Sequence, residues 1–308
     1  MSAATYIQYI EDFLAYIQLE RRYSVHTITA YRKDLSQFFT FIEGTYGAIP
    51  LGAIQHAHVR SWMAADLKDE QQVTSRTINR KISALKSFFK HALRQKLVSN
   101  SPMLKVIPPK INKRLPLFVE EEGMEKLEQN GTLTEPIFNN DFNGATQQLA
   151  LDIFYQTGIR LSELIELKVR NIDLSNRYVK VLGKGRKERI IPVSENLLAH
   201  IEKYLARKAA ELAEYDDEIL LVNDKGKKLY PKYVYRAVKA ALSKVTTIER
   251  KSPHILRHTF ATHLTNNGAD LNAVKELLGH SSLASTQVYT HNTVARLKEI
   301  HSKAHPKA

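Results

Sequence analysis

Residues 1–106 carry apolar positions at the spacing of amphipathic helices, with almost no strand signal. Ser24 is suited to cap a helix whose apolar side repeats every three or four residues. That side consists of Ile28, Tyr31, Leu35, Phe38 and Ile42. A second helix is predicted from about Ser75 to Gln95. Its apolar stripe consists of Ile78, Ile82, Leu85, Phe89 and Ala92. The two stripes predict a helical domain with a core of its own.

The opposite side of the second predicted helix is polar and basic. Its residues fall within a sector of roughly 80°. They are Arg76, Arg80, Ser83, Ser87, Lys90 and Arg94. From this helix alone, the basic side is equally well interpreted as a solvated face or as a binding surface. Residues 1–110 carry 15 Lys and Arg against 8 Asp and Glu, which favours a surface that grips DNA. We therefore expect Arg76, Arg80, Lys90 and Arg94 to contact DNA.

Prolines and basic residues separate this region from the rest of the chain. Pro108, Pro109 and Pro116 lie in a stretch that also contains lysine and arginine. Proline removes a backbone donor and biases the preceding residue to extended geometry, so a linker is expected here. We predict an N-terminal helical domain over residues 1–106, a linker over 107–116 and a second domain over 117–308.

The second domain mixes helical and strand patterns. Helices are predicted over residues 118–128, 145–157, 233–241, 253–266 and 272–278. Two strands, 177–182 and 188–193, flank the turn residues 183–187 and predict a β-hairpin. The apolar run 219–222 suggests a further strand. The expected fold class is therefore mainly α, with a small β-sheet or hairpin in the second domain.

Charge and composition narrow the range of partners. The chain has 308 residues, a formal net charge of +13 and no cysteine. A surplus of Lys and Arg concentrates polyanions around a protein, so nucleic acid is the expected partner. No apolar run approaches the roughly 18 residues that span a bilayer, and residues 1–17 do not resemble a signal peptide. Together with the lack of cysteine, this predicts a cytoplasmic protein with no membrane partner, disulfide or thiolate metal site.

Residues able to bind phosphate recur in short segments of the second domain. These are T-G-I-R-L-S-E-L at 157–164, G-K-G at 183–185, H-I-L-R-H at 254–258, L-G-H at 278–280, and Tyr289. Alone, Arg160 and Glu163 would be read as a surface pair, and G-K-G as a turn. His254 and His258 have the spacing of a zinc helix, but no third ligand is evident, so we expect no metal. Only the conjunction of these segments singles out a functional site.

Together the segments resemble the tyrosine recombinases of the phage-integrase and Xer type, with the Xer branch the better match. All seven positions of the family pattern are filled, in order. The resemblance implies that the catalytic residues are Arg160, Lys184, His254, Arg257, His280 and Tyr289. It implies that Glu163 is the acidic partner of the first arginine. It also implies a helical SAM-like core-binding domain and a catalytic domain that form a C-shaped clamp on DNA.

The chemistry of this family explains why basic residues are needed. During transesterification, negative charge grows on the phosphate oxygens, and the guanidiniums of Arg160 and Arg257 can hold those oxygens while remaining protonated. Lys184 is expected to protonate the leaving 5′ oxygen as general acid. Its neighbours Arg186 and Lys187 are expected to bind DNA.

The nucleophile must be activated and the bond energy conserved. A free tyrosine has a pKa of about 10, so Tyr289 needs help to lose its proton at neutral pH. His254 is the candidate proton acceptor or phosphate ligand, and His280 is a further hydrogen-bond donor. A 3′-phosphotyrosine retains the energy of the broken phosphodiester, so no nucleotide or metal cofactor is expected.

The resemblance also implies partners. They are a double-stranded DNA recombination site, a synaptic tetramer of this chain alone or with a related recombinase, and a DNA translocase. Strand exchange would pass through a Holliday junction and resolve chromosome or plasmid dimers. The amphipathic residues Val294, Leu297 and Ile300 would dock on a neighbouring subunit or fold back on their own domain. The alternatives are a mobile-element integrase, a type IB topoisomerase and a DNA-binding protein without catalysis.

Overall fold

The chain folds as two separate units. The computed structural model describes residues 3–64, 74–110, 117–130, 136–183, 188–279 and 299–306. The units are Met1–Arg114 and Leu115–Ala308, and each has its own hydrophobic core. The division falls within 107–116, and the role of that stretch as a linker stays a prediction.

The N-terminal unit is helical in its described residues. Its helices are α1 (Ala3–Leu19), α2 (Val25–Tyr46), α3 (His56–Ala64) and α4 (Ser75–Arg94), with a short 3-10 turn at Leu51–Ala53. Ser24 caps α2 by accepting a hydrogen bond from the backbone N–H of Thr27, and Thr74 caps α4 in the same way. The predicted cap at Ser24 and the predicted second helix are confirmed.

Both predicted apolar stripes face the core of this unit. The α4 stripe is buried throughout, and in the α2 stripe only Tyr31 is partly exposed. Phe13, Phe38, Phe88 and Trp62 are almost completely buried, and several of these rings pack edge to face. The basic side of α4 is consequently turned to the surface.

The C-terminal unit combines helices with a small sheet. Its elements are α5 (Glu121–Glu128), α6 (Phe142–Thr157), α7 (Leu161–Ile165), β1 (Ile172–Asp173), β2 (Tyr178–Leu182), β3 (Glu188–Pro192), α8 (Glu195–Glu211), α9 (Pro231–Val245), α10 (Pro253–Asn266) and α11 (Leu271–Leu278). Helix α6 crosses the core, where Ile153 and Phe154 are fully buried, and packs against α8 and α10. Among the helices described, none has the length and apolar character that a bilayer span requires.

The strands form an antiparallel sheet in the order β1-β2-β3. The pairing of β2 with β3 confirms the predicted hairpin. Strand β1 is too short to carry a readable sequence period. The strand expected at 219–222 does not form, and that prediction is wrong: these residues are buried but pair only through isolated bridges to Lys168 and Lys228. An apolar run buried on all sides looks like a strand in sequence whether or not it has strand neighbours.

Two glycines end the helices that precede Arg160 and His280. Gly158 caps α6 with φ of 57°, and Gly279 caps α11 with φ of 65°. This left-handed conformation favours glycine. At Gly158 a Cβ would also lie 2.5 Å from a ring carbon of Phe260. Backbone conformation and packing therefore both require glycine at the turn before Arg160.

The last described segment, 299–306, packs on the C-terminal unit itself. His301 and His305 are buried, and their rings stack with centroids 4.9 Å apart. Each ring donates an Nε2–H to a backbone carbonyl in the last turn of α6, His301 to Gln156 and His305 to Tyr155, both at 3.1 Å. Burial lowers the pKa of His301. Val294 and Leu297 of the predicted amphipathic segment lie outside the described residues, so the placement of that segment stays a prediction.

Acidification is expected to destabilise the protein through His301. The folded state holds this ring neutral, whereas in the unfolded state it titrates at about 6.5. Below about pH 6.5 the unfolded state therefore binds more protons, and the free energy of unfolding falls by up to about 1.4 kcal/mol per pH unit. Urea unfolding at pH 7.5 and 5.5 measures this loss, which should be smaller in His301→Gln. His26→Gln, an exposed substitution, is the control. An equal loss in His301→Gln and the wild type would contradict the assignment.

Candidate active site

Arg160 is fixed at the start of α7 with part of its side chain in solvent. It occupies the N-cap position, and its side chain is 34% exposed. Its Nη1 donates to Oε1 of Glu163 at 2.8 Å, and its Nη2 donates to the carbonyl of Gly279 at 3.0 Å. Its backbone N–H donates to Oε2 of Glu163 at 2.9 Å. Two hydrogen bonds thus hold the guanidinium and a third holds the backbone of Arg160, while other guanidinium N–H groups remain for a ligand.

Glu163 is shared between Arg160 and a second arginine, Arg189 of β3. Arg189 forms a bidentate pair with it, from Nη1 to Oε1 at 2.9 Å and from Nη2 to Oε2 at 2.7 Å. The carboxylate is 4% exposed. Burial alone would raise the pKa of Glu163, but the hydrogen bonds and charge of Arg189, followed by those of Arg160, bring it to about 2. The pair of Arg160 and Glu163 is therefore part of a buried network, not an ordinary surface pair.

Arg189 is absent from the residues predicted for the site. It is 4% exposed, and its Nε donates to the carbonyl of Leu277 at 2.8 Å. The hairpin prediction contained a signal for it. Arg189 and Ile191 lie two positions apart on β3 and so share one face of the strand, and Ile191 belongs to the core. A charged residue on a core-facing strand position needs a buried partner.

Arg257, on α10, is buried more deeply than Arg160. It is 6% exposed, and its Nη1 and Nη2 donate to the carbonyls of Gly158 and Leu278, both at 2.5 Å. Burial, reinforced by the positive charges of Arg160 and Arg189, lowers the pKa of Arg257 to about 10. The guanidinium therefore remains charged at neutral pH, and the surrounding positive charge makes an anion a favourable addition.

Three arginines converge on the C-terminal end of α11. Consecutive carbonyls there accept one guanidinium each: Leu277 from Arg189, Leu278 from Arg257 and Gly279 from Arg160. The last carbonyls of a helix lack partners within the helix and carry partial negative charge. The arginines satisfy them and fix the chain immediately before His280.

The histidine of the H-x-x-R segment lies beside this cluster. His254 is exposed, one turn before Arg257 on α10, and its ring lies 4.4 Å from that of His258. Partial desolvation, together with the positive charges of His258 and Arg257, lowers the pKa of His254. It is therefore neutral at pH 7 and able to accept a proton. His263, in contrast, is buried with its Nδ1 against the hydroxyl of Tyr155 at 2.9 Å, which indicates a structural role.

Five of the predicted site residues lie outside the described part of the chain. They are Lys184, Arg186, Lys187, His280 and Tyr289. Lys184, Arg186 and Lys187 fall in the gap between Gly183 and Glu188, and His280 and Tyr289 fall in the gap between Gly279 and Glu299. Within the ranges that the structure describes, no group of three or more His, Cys, Asp and Glu side chains is arranged to hold a metal.

The predicted DNA-contacting residues of α4 all lie on the surface. Arg76, Arg80, Lys90 and Arg94 are exposed. Arg80 forms an ion pair with the buried Asp34, and Nη1 of Arg94 donates to the Tyr16 hydroxyl at 2.6 Å. Two members of the basic stripe are thus held in place by neighbours. A held guanidinium loses little side-chain entropy when it meets a phosphate.

The arrangement in the C-terminal unit suits an anion. Among the described residues, Arg160 and Arg189 pair with the carboxylate of Glu163 while Arg257 lies nearby on backbone carbonyls, so positive charge is in surplus in a largely buried setting. Charge interactions are strengthened where water is excluded. Arg160 provides the exposed edge of this cluster, and planar guanidiniums bind phosphate oxygens bidentately.

The chain matches the model named Phage integrase family over residues 130–296 and the model named Phage integrase, N-terminal SAM-like domain over residues 10–96. It is 39% identical over 322 residues to Tyrosine recombinase XerC of Chlorobaculum parvum, covering 98% of this chain and 95% of that protein. It is 34% identical over 302 residues to Tyrosine recombinase XerD of Listeria monocytogenes serotype 4b, covering 97% of this chain and 99% of that one. Both curated relatives therefore align with nearly the whole chain.

A solved structure shares the fold. The XerH site-specific recombinase bound to a palindromic difH substrate, crystallised as a post-cleavage complex, superposes with a TM-score of 0.73 at 22% identity. The match covers 96% of this chain and 95% of that chain.

The range 130–296 that matches the phage integrase model includes every residue predicted to be catalytic. The range 10–96 that matches the SAM-like domain model includes α4.

The two arginines are expected to differ in their contribution to stability. Arg257→Lys removes a planar group that holds two buried carbonyls, and should lower the free energy of unfolding by about 1–3 kcal/mol. Arg160→Lys alters a partly exposed side chain while Arg189 still neutralises Glu163, so its cost should be less than about 1 kcal/mol. Urea unfolding at pH 7.5 measures both. A loss in Arg160→Lys as large as that in Arg257→Lys would contradict the geometry above.

Proposed function

Since the chain belongs to the phage integrase family and is a tyrosine recombinase, we propose that Tyr289 attacks a phosphodiester in a specific duplex DNA site and forms a 3′-phosphotyrosine. The observation that carries the proposal is the convergence of Arg160 and Arg257 on adjacent carbonyls at the end of α11. Two guanidiniums anchored so closely together can hold one phosphate between them. The chain then leads directly into His280.

The reaction balances without a cofactor. The Tyr289 oxygen bonds to phosphorus while the bond to the 5′ oxygen breaks, and Lys184 supplies the proton that this oxygen takes up. His254, neutral at pH 7, is the candidate acceptor of the phenolic proton. His280 donates a hydrogen bond to the phosphate. Attack by a 5′ hydroxyl of the partner strand reverses these steps and releases Tyr289.

Arg160 and Arg257 supply transition-state stabilisation. Negative charge develops on the non-bridging oxygens, where preorganised donors in a partly dry site are most effective. Both side chains are already held by protein carbonyls, so little reorganisation is needed when charge appears. Loss of one such donor typically slows reaction by about 100- to 1,000-fold.

The relatives support a proposal for the biological substrate. Curated proteins named XerC and XerD align over nearly the whole chain, and the XerH structure holds its difH substrate. We therefore propose resolution of chromosome or plasmid dimers in the cytoplasm, through a Holliday junction. A synaptic tetramer, formed by this chain alone or with a related recombinase, would bring two DNA sites together. A DNA translocase is the further partner.

Covalent capture tests this function. A nicked suicide substrate carrying the host recombination site should trap the protein on DNA as a band that survives a denaturing gel. Tyr289→Phe should abolish that band while changing the affinity for the site by less than about twofold, because phosphate contacts dominate binding. Adduct formation by Tyr289→Phe, or its absence from the wild type on the correct site, would refute the proposed nucleophile.

Salt dependence tests the basic side of α4. Lys90→Ala should weaken DNA binding and reduce the slope of log K against log salt concentration by about 0.9, because one phosphate contact is lost. Fluorescence anisotropy at salt concentrations between about 50 and 300 mM measures the slope. Lys126→Ala is the matched control, since Lys126 pairs with Glu122 on α5. An unchanged slope in Lys90→Ala would instead indicate that the basic side of α4 is a solvated surface that does not contact DNA.

A further inference from the structure

We propose that Arg189 is a positioning residue for recombination: it holds Glu163, and through it Arg160, in the geometry that receives the scissile phosphate. The proposal rests on the function proposed above. Arg189 lies near the start of β3, two residues after the sequence segment 184–187, which contains Lys184. It therefore connects the base of the hairpin to the arginine cluster.

Arg189 acts through other residues because it is buried and each of its three guanidinium nitrogens already donates to the protein. Its Nε, Nη1 and Nη2 donate to the Leu277 carbonyl and to both oxygens of Glu163, at 2.8, 2.9 and 2.7 Å. The side chain is 5% exposed. A guanidinium so enclosed offers no open edge to DNA. Its influence on the reaction must pass through Glu163 and through the end of α11.

Arg189 sets how tightly Glu163 holds Arg160. With Arg189 present, both carboxylate oxygens are satisfied, and the side chain of Arg160 gives Glu163 a single hydrogen bond. Without Arg189, a buried carboxylate would have Arg160 as its main counter-charge, or would take up a proton. The first outcome diverts Arg160 from phosphate, and the second releases Arg160 from its anchor. Either outcome impairs the reaction.

Arg189 also packs on the glycine that precedes His280. A Cβ added to Gly279 would lie 3.0 Å from Cδ and 3.3 Å from Nη1 of Arg189. The carbonyl of the same glycine accepts the hydrogen bond from Arg160. Arg189 therefore fixes Arg160 from two directions, through Glu163 and through Gly279. The same contacts fix the chain that leads to His280.

The experiment compares Arg189→Gln and Arg189→Lys with the wild type in the full chain. Cleavage rates are measured on the nicked suicide substrate between pH 5.5 and 8, and DNA affinity is measured in parallel. Arg189→Gln should cleave about 10- to 100-fold more slowly, because small misplacements of a catalytic group have effects of that size. Its affinity for DNA should remain close to that of the wild type.

The pH profile separates positioning from a structural role. In Arg189→Gln the pKa of Glu163 rises, so cleavage should fall further as the pH decreases, relative to the wild type at each pH. Arg189→Lys keeps the charge, so its rate should be intermediate and its acidic decline weaker. If Arg189→Gln does not fold, the cleavage rate of Arg189→Lys and its dependence on pH test the positioning role instead.

A second substitution tests the route through Glu163. In a Glu163→Gln background, which cannot ionise, adding Arg189→Gln should cost less rate than it does in the wild type, because only the contacts with Leu277 and Gly279 remain to be lost, and should produce no acidic decline. Arg207→Gln is the matched control, because Arg207 forms an exposed pair with Glu211 on α8. It should cleave at the wild-type rate.

The outcomes distinguish the two proposals. Wild-type cleavage by Arg189→Gln, or a loss that is equal at every pH and fully additive with Glu163→Gln, would overturn the positioning role. Failure of the wild type itself to form an adduct would instead overturn the proposed function.

Discussion

The site depends on the ion pairs that the buried carboxylate of Glu163 forms with two arginines. The carboxylate lies between Arg160 and Arg189, is 4% exposed, and stays ionised because two guanidiniums surround it. A buried charge is tolerated only when it is paired and hydrogen bonded, so each member of this trio requires the others. The result is an arginine, Arg160, that is rigid and yet partly exposed. That combination is what a preorganised phosphate ligand requires.

Backbone carbonyls extend the same network to the rest of the domain. The end of α11 accepts guanidiniums from β3, α10 and the start of α7, so three separate elements meet at one helix terminus. Gly279 permits this meeting, since its left-handed conformation ends the helix and its missing side chain leaves room for Arg189. Gly158 likewise ends α6 in the left-handed conformation, and its carbonyl accepts a hydrogen bond from Arg257. Packing and electrostatics therefore position the same few residues.

The sequence predicts much of this architecture because several signals are local. The cap at Ser24 follows from capping chemistry, the hairpin from turn residues between two strand-like runs, and the bounds of α10 from its helical pattern. The core-facing position of Arg189 on β3 indicates that it needs a buried partner, but the sequence does not identify Glu163 and Leu277 as those partners, because they are distant in the chain. The false strand at 219–222 has a similar origin, since burial and strand pairing leave the same apolar run. The roles of Lys184, His280 and Tyr289 stay predictions, because those residues lie outside the described part of the chain.

A crystal structure of the Tyr289→Phe variant on its uncleaved recombination site would test the central claim most directly. The account predicts one phosphate whose non-bridging oxygens lie about 2.7–2.9 Å from nitrogens of both Arg160 and Arg257, with Arg189 still bound to Glu163 and remote from DNA. A phosphate held elsewhere, or an Arg160 turned away from it while Arg189 contacts DNA, would contradict the account.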